Sequence, residues 1–218
     1  MKPQTPSTAR VIERRQWLQS AVAMAACLAV PAWAQGRGGA SGRLVVPFAP
    51  GGGNDVFARQ LSHGLAEAFG YNIIVENKPG AGGNLGTEMV VRASAQSDTY
   101  LLGHTGTVSI NPALYKGLKF NAANDLQPVA MFASSALLLV VPSTSPIRSV
   151  SELVKALRDK GESMNYASSG SGSGGHLAGE MLVYMLGAKA THVPYKGTAP
   201  SLNDVAGGLV DFSFSVIP

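Results

Sequence analysis

Cysteine is nearly absent from this 218-residue chain, and the single one, Cys27, sits inside an apolar run near the start. If that run is removed on export, no thiol remains, which excludes both disulfide staples and thiol catalysis. Aromatic residues are few, at 7%, and net charge is small. The formal +4 is concentrated early: Lys2, Arg10, Arg14 and Arg15 against Glu13 carry +3 before residue 35, leaving 13 basic against 12 acidic residues for the rest. Without basic clusters or interleaved aromatics after that point, nucleic-acid binding is not expected. Signatures of common enzymes are missing too: there is no Gly-x-Ser-x-Gly elbow and no phosphate-loop Gly-Lys-Ser/Thr. His63, His104, His176 and His192 show no paired metal-ligand spacing, so neither a metal nor any other cofactor is expected.

What is present begins with an export signal. Residues 1–34 combine a basic start through Arg15, an apolar run of 13 residues from Leu18 to Val30, and Ala32-Trp33-Ala34 before Gln35. Small residues at that spacing suit signal peptidase. The run falls short of the roughly 20 residues a membrane span needs, so cleavage after Ala34 and a periplasmic location are expected. Arg14-Arg15 leaves both the general secretory and the twin-arginine routes open, and Met24-Ala25-Ala26-Cys27 faintly resembles a lipoprotein cleavage site.

From Arg43 onward, short apolar runs alternate with Gly/Ser turns and amphipathic segments, a βα pattern. Strands are predicted near Leu44–Phe48, Ile73–Glu76, Tyr100–Gly103, Val129–Phe132, Leu137–Val141, Met164–Ala167, His192–Tyr195 and Asp211–Val216. A helix from Asp55 places Phe57, Leu61, Leu65 and Phe69 on one stripe and stops at Gly70. Another opens on a capping box, Ser149-x-x-Glu152, with Leu153, Val154 and Leu157 inward, and ends at Gly161. A third spans His176 to Leu186, with Leu177, Met181 and Met185 on its apolar side. Ser134-Ser135 interrupts two consecutive strand-like runs, which places a first lobe at 35–133 and a second at 134–218. The chain stops on Phe212–Pro218 with no closing helix, so a shortened form of a longer protein is expected.

One local device recurs: a buried strand, then a Gly/Ser/Thr loop, then a helix start. It occurs at Pro50–Asp55, at Gly103–Thr107, at Ser168–Gly172 and at Lys196–Thr198. Glycine lets a ligand approach backbone N–H groups, and a helix start adds unpaired donors and partial positive charge. Such loops form anion sites, and in open α/β sheets they lie beyond the carboxyl ends of the strands. Each is also an ordinary turn when taken alone, and Asp55 suits a helix start better than acid or base work. Gly170-x-Gly172-x-x-Gly175 formally matches a dinucleotide fingerprint, but His192-Val193-Pro194-Tyr195 lacks the acidic residue that would hold a ribose.

From about Arg43 to Pro218 the sequence closely resembles the Bug receptors, the periplasmic solute-binding components of tripartite tricarboxylate transporters. The matching segments are Leu44–Asp55, Val75–Asn84, Ile110–Tyr115, Asn165–Ser168 with His176–Glu180, and Val193–Gly197. The resemblance implies an α/β, two-lobed periplasmic-binding-protein fold of the flytrap type, incomplete at its C-terminus. It further implies a small di- or tricarboxylate as ligand, membrane permease subunits as partners, a monomer, and no catalysis. The family often carries an acidic or amide residue where this sequence has Ser215-Val216. Candidate ligand-binding residues are Phe48, Pro50, Gly51, Gly52 and Asp55 of the first loop and Thr105, Gly106 and Thr107 of the second. Ser168, Ser169, Gly170 and Ser171 of the third, Lys196 of the fourth and Ser215 on the last strand complete the set. The expected capture uses N–H groups of Gly51 and Gly52 beside the Thr105 and Thr107 hydroxyls, with Ser168–Ser171 closing from the second lobe. No arginine lies in these loops, so amides, hydroxyls and water take the place of a guanidinium clamp. An exported enzyme acting on a small acid, and a sensory ligand-binding protein, are the competing classes.

Overall fold

A computed structural model describes residues 41–216 except Ala95; the expected export signal and its cleavage site lie outside the described residues. Two separate sheets organise the described residues. The first has the order β2-β1-β3, from β1 (Ser41–Val46), β2 (Asn72–Asn77) and β3 (Thr99–Leu101), all parallel. Leu44, Val45 and Val46 are buried on both faces of the central strand, as a parallel sheet covered by helices requires. Helix α1 (Gly53–Phe69) links β1 to β2, and α2 (Asn84–Val91) links β2 to β3.

The second sheet has the order β4-β7-β5-β6, from β4 (Leu137–Val140), β5 (Asn165–Ser168), β6 (Thr191–Pro194) and β7 (Phe212–Val216). β5 runs parallel to both β6 and β7, whereas β4 is antiparallel to β7. Between the sheets the chain forms two short helices, α3 (Asn111–Leu114) and α4 (Ala122–Asp125). Around the second sheet lie α5 (Val150–Lys160), α6 (Gly174–Leu186) and α7 (Thr198–Ala206). Each sheet has its own core, Leu44, Val46, Phe48, Ala58 and Leu102 in one, Leu153, Leu157, Met164, Tyr166 and Phe212 in the other.

Local chemistry explains the helix ends. Gly70 takes the left-handed conformation (φ 64°) and donates to Ala66 O, while the next N–H reaches Leu65 O. At α5, Ser149 Oγ accepts from Glu152 N–H and the Glu152 carboxylate accepts from Ser149 N–H, the reciprocal pair expected of a capping box.

Three expectations are corrected. Val129–Phe132 is not a strand: no neighbouring strand among the described residues offers it a ladder, and Val129 and Met131 are 81% and 89% exposed. Phe69 lies beyond the buried stripe of α1, which is carried by Asp55, Ala58 and Leu61. On α6 the side holding Leu177, Met181 and Met185 faces outward, and the inner side is small. A Cβ on Gly175 would overlap Phe214 O, and one on Gly179 would overlap the Tyr166 ring. Close approach of the helix to the sheet, made possible by glycine, therefore replaces the large-residue packing that the periodicity suggested.

Candidate functional site

A cavity of about 200 Å³ lies where loops from both sheets meet. Pro47 and Phe48 reach it from the end of β1, Gly80–Gly83 from the loop after β2, and Tyr115 from the turn after α3. Ser169–Ser171 follow β5, and Pro194–Lys196 close β6. Four of these five segments sit at carboxyl ends of strands, the usual ligand position in α/β sheets.

Five of the candidate residues line this cavity: Phe48, Ser169, Gly170, Ser171 and Lys196. Among the described residues, Ser169 and Ser171 keep their N–H groups and hydroxyls free of intramolecular partners. Lys196 is the cation in the wall, and its carbonyl accepts from Ala49 N–H at 2.8 Å, tying the fourth loop to the first.

The other candidates lie outside the lining of this cavity. Gly51 has φ +82°, a conformation glycine adopts freely, and its N–H is already given to Asp55 Oδ2 at 3.0 Å. Gly52 packs against Thr198, where an added Cβ would lie 3.3 Å from Thr198 Cβ, so the loop of Pro50, Gly51 and Gly52 meets the start of α7. Asp55, 5% exposed, also accepts from Arg59 and from Asn77 Nδ2 at 2.9 Å. Burial raises its pKa, but the hydrogen bonds from Arg59, Gly51 and Asn77 outweigh this and hold it below the ordinary carboxylate value. Asp55 is thus the fastener of the β1–α1 loop.

In the second candidate loop, Gly106 N–H donates to His104 Nδ1 at 2.9 Å and the Thr107 hydroxyl to His104 O at 3.2 Å. Thr107 and Gly106 are buried, Thr105 is exposed, and none of the three lines the cavity. Burial lowers the His104 pKa to about 4. Since Nδ1 accepts, the neutral ring carries its proton on Nε2, which is buried without a partner among the described residues. Ser168, fully buried, accepts from Gly170 N–H at 3.1 Å and meets His192 Nε2 at 2.7 Å, so it holds the third loop in shape. Ser215 shares an Oγ–Oγ contact of 2.8 Å with Ser213 inside the second sheet.

Sequence reasoning left two cavity segments out of the site. Gly80-Ala81-Gly82-Gly83 repeats the strand, glycine loop and helix device after β2, and all four residues have positive φ (133°, 48°, 62° and 93°). Its glycine density was a sufficient signal. Tyr115 carried none, because nothing in the chain order places it beside Ser171.

Residues 57–218 match the profile described as the tripartite tricarboxylate transporter family receptor, which covers most of the chain. The chain belongs to this family. Among curated members, BugT of Bordetella pertussis is 30% identical over 177 residues, 81% of this chain and 54% of BugT. The chain thus spans about half the length of the curated relatives it matches. Among solved structures, a Rhodopseudomonas palustris protein with adipate superposes with a TM-score of 0.80 at 34% identity, covering 84% of this chain and 61% of that one. MatC from the same organism, with bound malate, gives 0.76 at 32% identity, covering 81% and 60%. The chain therefore has the periplasmic binding protein fold of its family, in agreement with the resemblance drawn from the sequence.

Proposed function

We propose that this receptor binds a small dicarboxylate or related acid in the cavity between its two sheets and presents it to membrane permease subunits, without chemical change. The observation that carries the reading is the wall itself: free N–H groups and hydroxyls of Ser169 and Ser171, a glycine-rich turn opposite them, and the single cation Lys196. Such a wall recognises carboxylates through neutral donors and one charge. Relatives holding adipate and malate support the same ligand class. A periplasmic location after export of the chain goes with this role, as does closure of the two halves as the event sensed by the permease. Domain limits of 35–133 and 134–218 remain part of the proposal. Isothermal titration with malate, adipate and citrate is the test. Saturable binding of at least one acid, weakened in Lys196→Ala, is expected; turnover of the acid, followed by NMR, would overturn the receptor role.

A further inference from the structure

Asn111 is fully buried and fastens its turn to the loop after β2, donating Nδ2 to Gly82 O at 3.1 Å and to Asn84 Oδ1 at 2.7 Å. Tyr115 N–H donates to Asn111 O at 2.9 Å, so the turn from Asn111 to Tyr115 is closed upon itself and anchored to the first-sheet half. From that anchor the Tyr115 hydroxyl donates to Ser171 O at 2.9 Å, across 56 positions of sequence and into the loop after β5. The same carbonyl sits against Gly82, where any Cβ would overlap it, and Gly172 sits against Asn111 Oδ1 with equally little room. Gly82, Asn111 and Tyr115 therefore form a notch on one half, and Ser171-Gly172 is the plug supplied by the other.

We propose that Tyr115 is the latch of the closed protein, a positioning residue whose hydroxyl holds the Ser169–Ser171 loop over the cavity and so sets how long a ligand stays. The proposal deepens the acid-binding reading and rests on it for the identity of the ligand, but not for the latch itself. When the halves part, the Tyr115 hydroxyl is hydrated and Ser171 O likewise, so the bond favours the closed state alone. Removing it lets the halves open more often while leaving the encounter of ligand with the open form as it was.

The experiment compares wild type with Tyr115→Phe. Malate and adipate affinity is measured by calorimetry, the dissociation rate by NMR exchange, and amide hydrogen exchange is followed without ligand. A roughly twofold to tenfold loss of affinity, the worth of one neutral hydrogen bond, is expected, carried by faster dissociation with association unchanged. In the ligand-free chain the Ala49 amide, held across the two halves by Lys196 O at 2.8 Å, should exchange faster while Val45 in the first core does not. Gly82→Ala, which fills the notch, should speed the same amide and serves if the Phe variant fails to fold. Unchanged exchange at Ala49 in a folded variant overturns the latch. Failure of wild type to bind any of malate, adipate and citrate would instead sink the acid reading, and the exchange data would still decide the latch.

Discussion

At the scale of single residues, glycines in this chain serve different ends, and substitution separates them. Gly170 has φ +137°, and a Cβ there would lie 3.1 Å from Tyr195 O and 3.3 Å from Gly82 Cα, within the cavity wall. Gly170→Val is expected to weaken binding of malate or adipate by tenfold or more, since strain and steric exclusion act together. Gly161 has φ +52° and no neighbour within 4 Å of an added Cβ. Gly161→Ala should cost about 1 kcal/mol in a urea titration and leave calorimetric affinity unchanged. Asp55 is a third case, because its carboxylate gathers Gly51, Arg59 and Asn77 around one buried point. Asp55→Ala leaves the Gly51 N–H and the Asn77 amide without that acceptor, at a cost of about 2 kcal/mol. Thermal unfolding checks it, and an unshifted midpoint would mean that the loop is held by other contacts.

At the scale of elements, α5 and α6 show two ways in which a helix docks. The hydrophobic face of α5 was legible because Leu153 and Leu157, 1% and 0% exposed, are large and one turn apart. Its start was legible because a capping box is a local device, complete within four residues. Ser149→Ala should lower stability by about 1 kcal/mol without touching affinity. α6 misleads the same reasoning. Hydrophobic periodicity weights large side chains, yet here the docking side is Gly175 and Gly179, and the large residues Met181 and Met185 stand 53% and 78% exposed. Gly179→Val should overpack the contact with Tyr166 and destabilise by about 1–3 kcal/mol, whereas Met185→Lys should stay within about 0.5 kcal/mol of wild type. Denaturant midpoints of the two variants compare them directly, and the opposite ranking would place the wrong side of the helix against the sheet.

For the whole molecule, buried imidazoles tie stability to pH. Burial lowers His104 to about 4; burial, then the neighbouring His176, lower His192 to about 4, against the partial opposition of Glu180. Unfolded histidines titrate near 6.5, so between these values the unfolded chain binds more protons. Stability should therefore be full above about pH 6.5 and fall as pH drops toward 4, by on the order of 3 kcal/mol for His104 alone. Urea midpoints at pH 7 and pH 4.5 test this, and His104→Gln should shrink the difference to the part that His192 carries. What the sequence determined by itself was whatever a few neighbouring residues settle: the βα alternation, seven of eight strands, the capped helix ends, and glycine loops beyond strand ends. Motifs in a fixed order added the family. Tertiary structure alone decided which of those loops line the cavity and which do not, since Gly51 N–H is taken by Asp55 while Ser169 and Ser171 have no intramolecular partner for theirs among the described residues. It also brought Tyr115 to Ser171 and turned the small side of α6 inward. These depend on which groups from distant segments compete for the same donor or the same space, and that competition has no period in the chain.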